Sequence, residues 1–148
     1  LTALNSIENI LELISEEAKR LSNAERCSIF MVDNKDHMLW TKINNGIGRI
    51  VVGLDSGIVG DTYTKKEGQI VNDPYEDSRF LPAIDKKSCF ITKNMITVPI
   101  FNSKREIMGV MQLLNKPRFD FDEKDLEILT FLANYVSGSL EIILMSDN

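Results

Sequence analysis

The chain has 148 residues, 43% hydrophobic and 26% charged, which suits one domain with its own core. Its net charge of −5 and pI of about 4.9 leave no basic footprint for nucleic acid or an anionic membrane. No uninterrupted apolar run approaches the roughly 20 residues of a membrane span, and two cysteines with one histidine exclude a disulfide framework or a multi-histidine metal site.

The chain starts inside a helical pattern without a Met, as expected of a piece excised from a larger, cytoplasmic protein. Leu4, Ile7, Ile10, Leu11, Ile14, Ala18 and Leu21 recur at spacings of three and four and predict an amphipathic helix over residues 2–21. Residues 27–32 (CSIFMV) form an apolar run that ends at the turn signal Asp33-Asn34-Lys35-Asp36. Residues 38–43 return as the second strand of a hairpin, with His37 solvated in the turn. Gly46 and Gly48 then break the pattern, and residues 50–52 read as a short edge strand.

Asp55 or Ser56 can cap a helix that runs to Lys66 and stops at Glu67-Gly68. Residues 69–71 read as a strand. Residues 72–82 (NDPYEDSRFLP) have loop composition with room for one helical turn, and residues 85–89 can form another short helix. Asp73, Glu76, Asp77 and Arg79 make a charged, solvated segment able to act as a lid. Residues 94–116 read as two strands around a polar turn at 102–105. The run 107–114 is apolar on both parities, as in a strand buried on both faces, and only Gln112 interrupts it. Pro99 cannot donate to a strand ladder, so it belongs at a bulge or where the neighbouring strand has ended.

Asp120 or Asp122 can cap a last long helix, with Glu123 and Asp125 in its first turn. That helix carries two apolar stripes: Leu129, Leu132, Val136, Leu140 and Ile143; and Ile128, Phe131, Tyr135, Ile142 and Met145. One stripe faces the sheet, and the other predicts a second subunit, hence a homodimer through the terminal helices. Several strands joined by short turns predict an α+β domain with an antiparallel sheet between helical layers. A ligand pocket then falls between the sheet and the middle segments, 57–66 and 73–89.

These segments resemble a GAF domain over nearly the whole chain. The residues that carry the resemblance are CSIFMVD, GIVG before a helix, IVNDPYEDSRF, IDKKSCFITKNMITVPI, GVMQLLNK and FDEKD. The chain is most similar to the GAF domains that regulate cyclic-nucleotide phosphodiesterases and adenylyl cyclases. The resemblance implies a PAS-related, six-stranded antiparallel sheet in a single sensory domain spanning 1–148. It also implies regulation of an output domain in the same parent chain. Asn115, Lys116, Phe121 and Asp125 match the family's Asn-Lys…Phe…Asp signature, which implies a Lys116–Asp125 salt bridge beside the pocket; Leu126 replaces the signature's last residue.

By the same resemblance the ligand-binding residues are Ser28, Asn44, Ile58, Val59, Gly60, Asp85, Ser88, Thr92 and Gln112, and the ligand is cGMP or cAMP. The family's Phe-Asp pair falls on Ile43-Asn44 and its Tyr or Asn on Leu81, both departures. A helix start at 58–60 could hold a phosphate through backbone N–H groups, or its glycines could serve packing alone. Asp85, Ser88 and Thr92 would share a face if helical, or form a local cap. Ser28 and Gln112 could meet across adjacent strands. Trp40, Tyr63, Tyr75 and Phe90 could stack on a ligand or belong to the core. Catalysis is not expected: His37 has no nucleophile partner, and Cys27 and Cys89 do not reproduce the cysteine set of the family's methionine-sulfoxide reductases. No cofactor, nucleic acid or membrane insertion is expected. The alternative function is a dimerisation and signal-transmission module that binds no nucleotide.

Overall fold

A computed structural model describes residues 3–44 and 48–146. The expectations for Thr2 and Gly46 therefore lie outside the described residues, as do those for the side chains of Leu4 and Ile7. The elements in chain order are α1 (Ala3–Ser22), β1 (Arg26–Asp33), β2 (Met38–Ile43), β3 (Val51–Gly53), α2 (Gly57–Lys65) and β4 (Gln69–Val71). A single 3-10 turn (Pro74–Glu76) follows, then α3 (Pro82–Ser88), β5 (Met95–Phe101), β6 (Ile107–Leu114) and α4 (Glu123–Ser146). All strand pairs are antiparallel, in the order β3-β2-β1-β6-β5-β4. The predicted α+β fold with a six-stranded sheet is the one observed.

Turn chemistry sets the hairpins. Asp33 Oδ1 accepts from the N–H groups of Lys35 and Asp36 and closes the β1–β2 turn. Asn102 does the same for Lys104 and Glu106 between β5 and β6. Pro99 pairs with Val110 on β6, while β4 reaches only Thr97 on the other side. Its missing N–H thus falls where the neighbouring strand has ended, and the sheet's irregularity lies later, at Ile100/Phe101. Helix α3 begins three residues before the expected Asp85. Pro82 takes its first turn, where a missing N–H costs nothing. Asp122 caps α4: its Oδ1 accepts from Asp125 N, and Asp125 Oδ2 accepts from Asp122 N, each at 3.0 Å.

Side-chain alternation divides the sheet into two unlike faces. Cys27, Ile29 and Met31 of β1, Ile96, Val98 and Ile100 of β5, and Met111 and Leu113 of β6 meet the terminal helices. Leu11 and Ala18 of α1 and Leu129, Ala133, Val136 and Leu140 of α4 complete this core. The opposite face meets α2, α3 and the segment between them. By length and composition Glu123–Met145 could span a membrane, unlike the expectation that no run would. It is apolar on two sides, and its inner side is packed into the core.

Candidate functional site

The site lies on the α2–α3 side of the three central strands. Arg26, Ser28 and Phe30 alternate along β1, so they share that face, and all three line one cavity. Gln112 of β6 sits opposite Ser28 on one side and Thr97 of β5 on the other. The row Ser28–Gln112–Thr97 is buried, at 3%, 8% and 0% exposure. Thr97 is committed to the scaffold. Its hydroxyl lies 2.6 Å from Thr62 Oγ1 of α2, which itself donates to Ile58 O. Ser28 and Gln112 differ: among the described residues neither side chain has a hydrogen-bond partner, and both face the cavity.

The first turn of α2 forms one wall through Ser56, Gly57, Ile58 and Val59. Ser56 sits at the cap position but makes no side-chain cap bond, so the first-turn N–H groups keep no side-chain acceptor there. Gly57 has φ +71°, and a Cβ on it would lie 3.0 Å from Leu81 Cδ1. Gly60 does not line the cavity, contrary to expectation. A Cβ there would lie 2.7 Å from Asp55 C and 2.9 Å from Leu54 O, so this glycine lets α2 fold back on its own lead-in turn. Asn44 also lies off the cavity, because it follows the end of β2; Ile50 and Val52 wall that side instead. Trp40, on the helix side of the sheet, packs against Arg49 and the terminal-helix core.

Residues 74–92 close the cavity. Asp85 is 5% exposed and accepts from Thr92 N at 2.7 Å, Thr92 Oγ1 at 2.8 Å and Tyr75 Oη at 2.6 Å. These bonds, rather than a shared helical face, connect Asp85 and Thr92. Helix α3 ends at Ser88, and Thr92 lies in the following coil. Ser88 Oγ returns to Ile84 O. The charged segment is not simply solvated. Arg79 donates to Asp77 Oδ1 and Oδ2 at 2.9 and 2.6 Å, to Asp61 Oδ2 at 2.5 Å and to Gln69 Oε1 at 2.6 Å. The Arg79 hydrogen bonds hold the Asp77 carboxyl down to about 2 and raise the guanidinium in return. Asp61 is also lowered. Partial burial pushes it up, but hydrogen bonds from Gln69, Arg79 and Lys65 outweigh that.

The expected clasp beside the site is present. Lys116 Nζ lies 2.8 Å from Asp125 Oδ2, and Phe121 is buried at 2% exposure. Asn115, at φ 64°, accepts from Lys93 N and donates to Ile91 O, fixing the coil that leads into β5. Two asparagines that the sequence reading did not single out extend this clasp. Asn94 accepts from Lys116 N and donates to Lys116 O and Phe119 O, and Asn72 makes a two-way bond with the Phe121 backbone.

Of the expected ligand residues, Ser28, Ile58, Val59, Asp85, Ser88, Thr92 and Gln112 line the cavity. The sequence reading missed Arg26, Phe30, Phe80 and Leu114, which line it too. The period of two from Ser28 and from Gln112 carried the signal for Arg26, Phe30 and Leu114. Nothing local marked Phe80. The cavity has a volume of about 70 Å³, well below the roughly 300 Å³ at which ligand pockets begin. A wider groove of about 400 Å³, open to solvent, lies between the β5–β6 turn and the end of α4, away from these residues. Among the described residues no cluster of three or more His, Cys, Asp or Glu could hold a metal ion. Burial pushes the Cys27 thiol up to about 12, which keeps it an inert core group, while Cys89 is free and exposed.

The family model of the GAF domain matches residues 6–140, nearly the whole chain. The chain is a GAF domain. It is 34% identical over 152 residues to a dual 3',5'-cyclic-AMP and -GMP phosphodiesterase of Takifugu rubripes, covering 87% of this chain and 17% of that protein. It is 26% identical over 149 residues to a probable 3',5'-cyclic phosphodiesterase of Caenorhabditis elegans, covering 91% of this chain and 20% of that protein. The chain thus spans a fifth or less of those relatives' length. In fold it matches the crystal structure of the GAF domain from an Acinetobacter phosphoenolpyruvate-protein phosphotransferase. The TM-score is 0.79 at 22% identity, over 98% of this chain and 90% of that one. GAF domains are small-molecule-binding regulatory modules.

Proposed function

We propose that this GAF domain binds a cyclic nucleotide, cGMP or cAMP, and passes its bound state through α1 and α4 to an output domain in the parent chain. The observation that carries this reading is the cavity floor. Ser28 and Gln112 are buried in mostly apolar surroundings without a hydrogen-bond partner among the described residues. Their polar atoms open onto the cavity rather than being sealed in the protein, so the edge of a bound base can take the place of water there. The uncapped start of α2 supports the reading, since it offers N–H groups and the positive dipole end to a phosphate. Similarity to two phosphodiesterases of cyclic nucleotides points the same way.

A cavity of about 70 Å³ cannot hold a whole nucleotide, so binding displaces residues 74–92 from the floor. Two sets of bonds form the latch of that movement: Arg79, held by Asp77, ties the segment to Asp61 and Gln69, and Asp85 braces it internally through Thr92 and Tyr75. The domain itself performs no chemistry on this reading, and its site is cytoplasmic, with no nucleic acid and no membrane insertion. Isothermal titration with cGMP and cAMP tests the proposal. A saturable one-to-one heat with at least one is expected; no heat with either, on folded protein, removes the nucleotide.

A second copy of the chain is the proposed partner for the outer side of α4. Phe131 and Tyr135 are each 59% exposed and Met145 is 73% exposed, and they continue the three-and-four spacing from Ile128. Sedimentation equilibrium should give a dimer that Tyr135→Glu dissociates. A monomer at all concentrations would rule this partner out.

A further inference from the structure

Arg26 carries a positive charge into the cavity wall that no carboxylate there answers. Its guanidinium carbon lies 3.8 Å from the centroid of the Phe90 ring, so one face of the group is covered. Its Nη1 is shut off from solvent and has no hydrogen-bond partner. The ion pairs among the described residues all use other cations. Asp85 lines the same cavity, but Tyr75 and Thr92 take up its oxygens. Arg26 is one strand repeat from Ser28 and opposite Leu114, the next inward-facing residue after Gln112. Cation, hydroxyl and amide therefore follow one another along one face.

A guanidinium stacked on a ring keeps its donors in its own plane, directed sideways. Two oxygens of a carboxylate or phosphate match that fork, and the resulting bonds are the strong, charge-assisted kind. We infer that Arg26 is the anion anchor of the cavity: the ligand is a small organic anion whose phosphate or carboxylate pairs with the Arg26 fork while its polar end meets Ser28 and Gln112. This rests on the reading of the cavity as a ligand site, but not on the ligand being a cyclic nucleotide. It assigns the charge recognition to β1, in addition to the start of α2.

The test uses the 148-residue chain with three probes: cGMP, cAMP and inorganic phosphate. NMR of the Arg26 Nε–Hε signal reads the anchor directly in the unsubstituted protein. The signal should move saturably with phosphate, and Arg26→Gln should weaken phosphate binding about tenfold or more. The melting temperature should stay within a few degrees of the parent, because no ion pair is lost; Arg26→Lys should recover part of the affinity.

If phosphate moves the signal in an Arg26-dependent way and neither cyclic nucleotide binds, the anchor stands and the nucleotide reading fails. If a cyclic nucleotide binds Arg26→Gln as tightly as the parent, the anchor is overturned and the nucleotide reading survives. If none of the three probes moves the Arg26 signal, the anchor is overturned. Should Arg26→Gln not fold, the signal in the parent and the affinity of Arg26→Lys decide between the same outcomes.

Discussion

The two faces of one sheet show how the same strands can serve opposite purposes. Toward the terminal helices, β1, β5 and β6 present only hydrocarbon and sulfur: Cys27, Ile29, Met31, Ile96, Val98, Ile100, Met111 and Leu113. Toward α2 and α3, the alternate positions present Arg26, Ser28, Met95, Gln112 and Leu114 around a void. The first face is held by area removed from water, which is nondirectional and distributed over many residues. The second combines two smaller apolar clusters, around Phe30, Leu39, Val59 and Val110 and around Ile58, Val71 and Met95, with directed bonds, Asp85 with Thr92 and Tyr75, and Arg79 with Asp61 and Asp77. A few polar bonds can break and re-form about a ligand at modest cost, whereas a close-packed core cannot. The asymmetry thus places rigidity at the terminal helices and adaptability at the cavity.

The largest expected effect lies on the packed face. Leu129 is fully buried in α4, and Leu129→Ala should cost about 3 kcal/mol in urea unfolding. A loss under 1 kcal/mol would mean that this face is no better packed than the other. Next comes the latch. Asp85→Ala strands two buried donors of Thr92 and should cost about 2 kcal/mol. Hydrogen exchange should then quicken over residues 74–92 and leave β1 and β6 unchanged; uniform acceleration would mean that the latch belongs to the global core.

On the cavity floor the sign reverses. Ser28→Ala should be neutral or stabilising by up to about 1 kcal/mol, since no protein hydrogen bond is lost and the floor becomes more apolar. A clear destabilisation there would show that the floor is structural. The smallest effect is the pH dependence of the Arg79 network. Asp77 falls from its ordinary 3.8 to about 2 on folding. Its contribution is therefore complete above about pH 4 and disappears as pH falls through about 2. Asp77→Asn should flatten the stability profile across that interval; an unchanged profile would remove Asp77 from the latch.

Much of the fold was legible because each signal was local or strictly periodic. Asp33-Asn34-Lys35-Asp36 and the Asn102 turn mark their hairpins by short side-chain-to-backbone bonds. Leu129 to Ile143 mark a buried helical stripe, and Asp122 caps its helix from three residues away. The resemblance singled out Ser28 and Gln112 as residues that could meet across adjacent strands, and the register places them opposite. The rest depended on distance through space. Arg79 reaches Asp61 and Gln69 on other elements, and Asn72 meets Phe121 across 49 positions of sequence. No spacing rule records such a meeting. Gly60 was left open for a similar reason: a glycine at a helix start suits an anion or a tight fold-back equally, and the approach of Asp55 and Leu54 supports the fold-back. Arg26 lies outside the predicted helix 2–21 and run 27–32, and only Phe90 and the cavity around it mark its place.

The central claim is that the α2–α3 side opens for a small ligand while the helix side stays closed. Hydrogen exchange with and without saturating cGMP or cAMP tests it most directly. The account predicts that residues 74–92 exchange much faster than the inner turns of α4 in free protein, and that a bound nucleotide protects 74–92 and the first turn of α2. Equal exchange on both sides of the sheet, unchanged by either nucleotide, would contradict it.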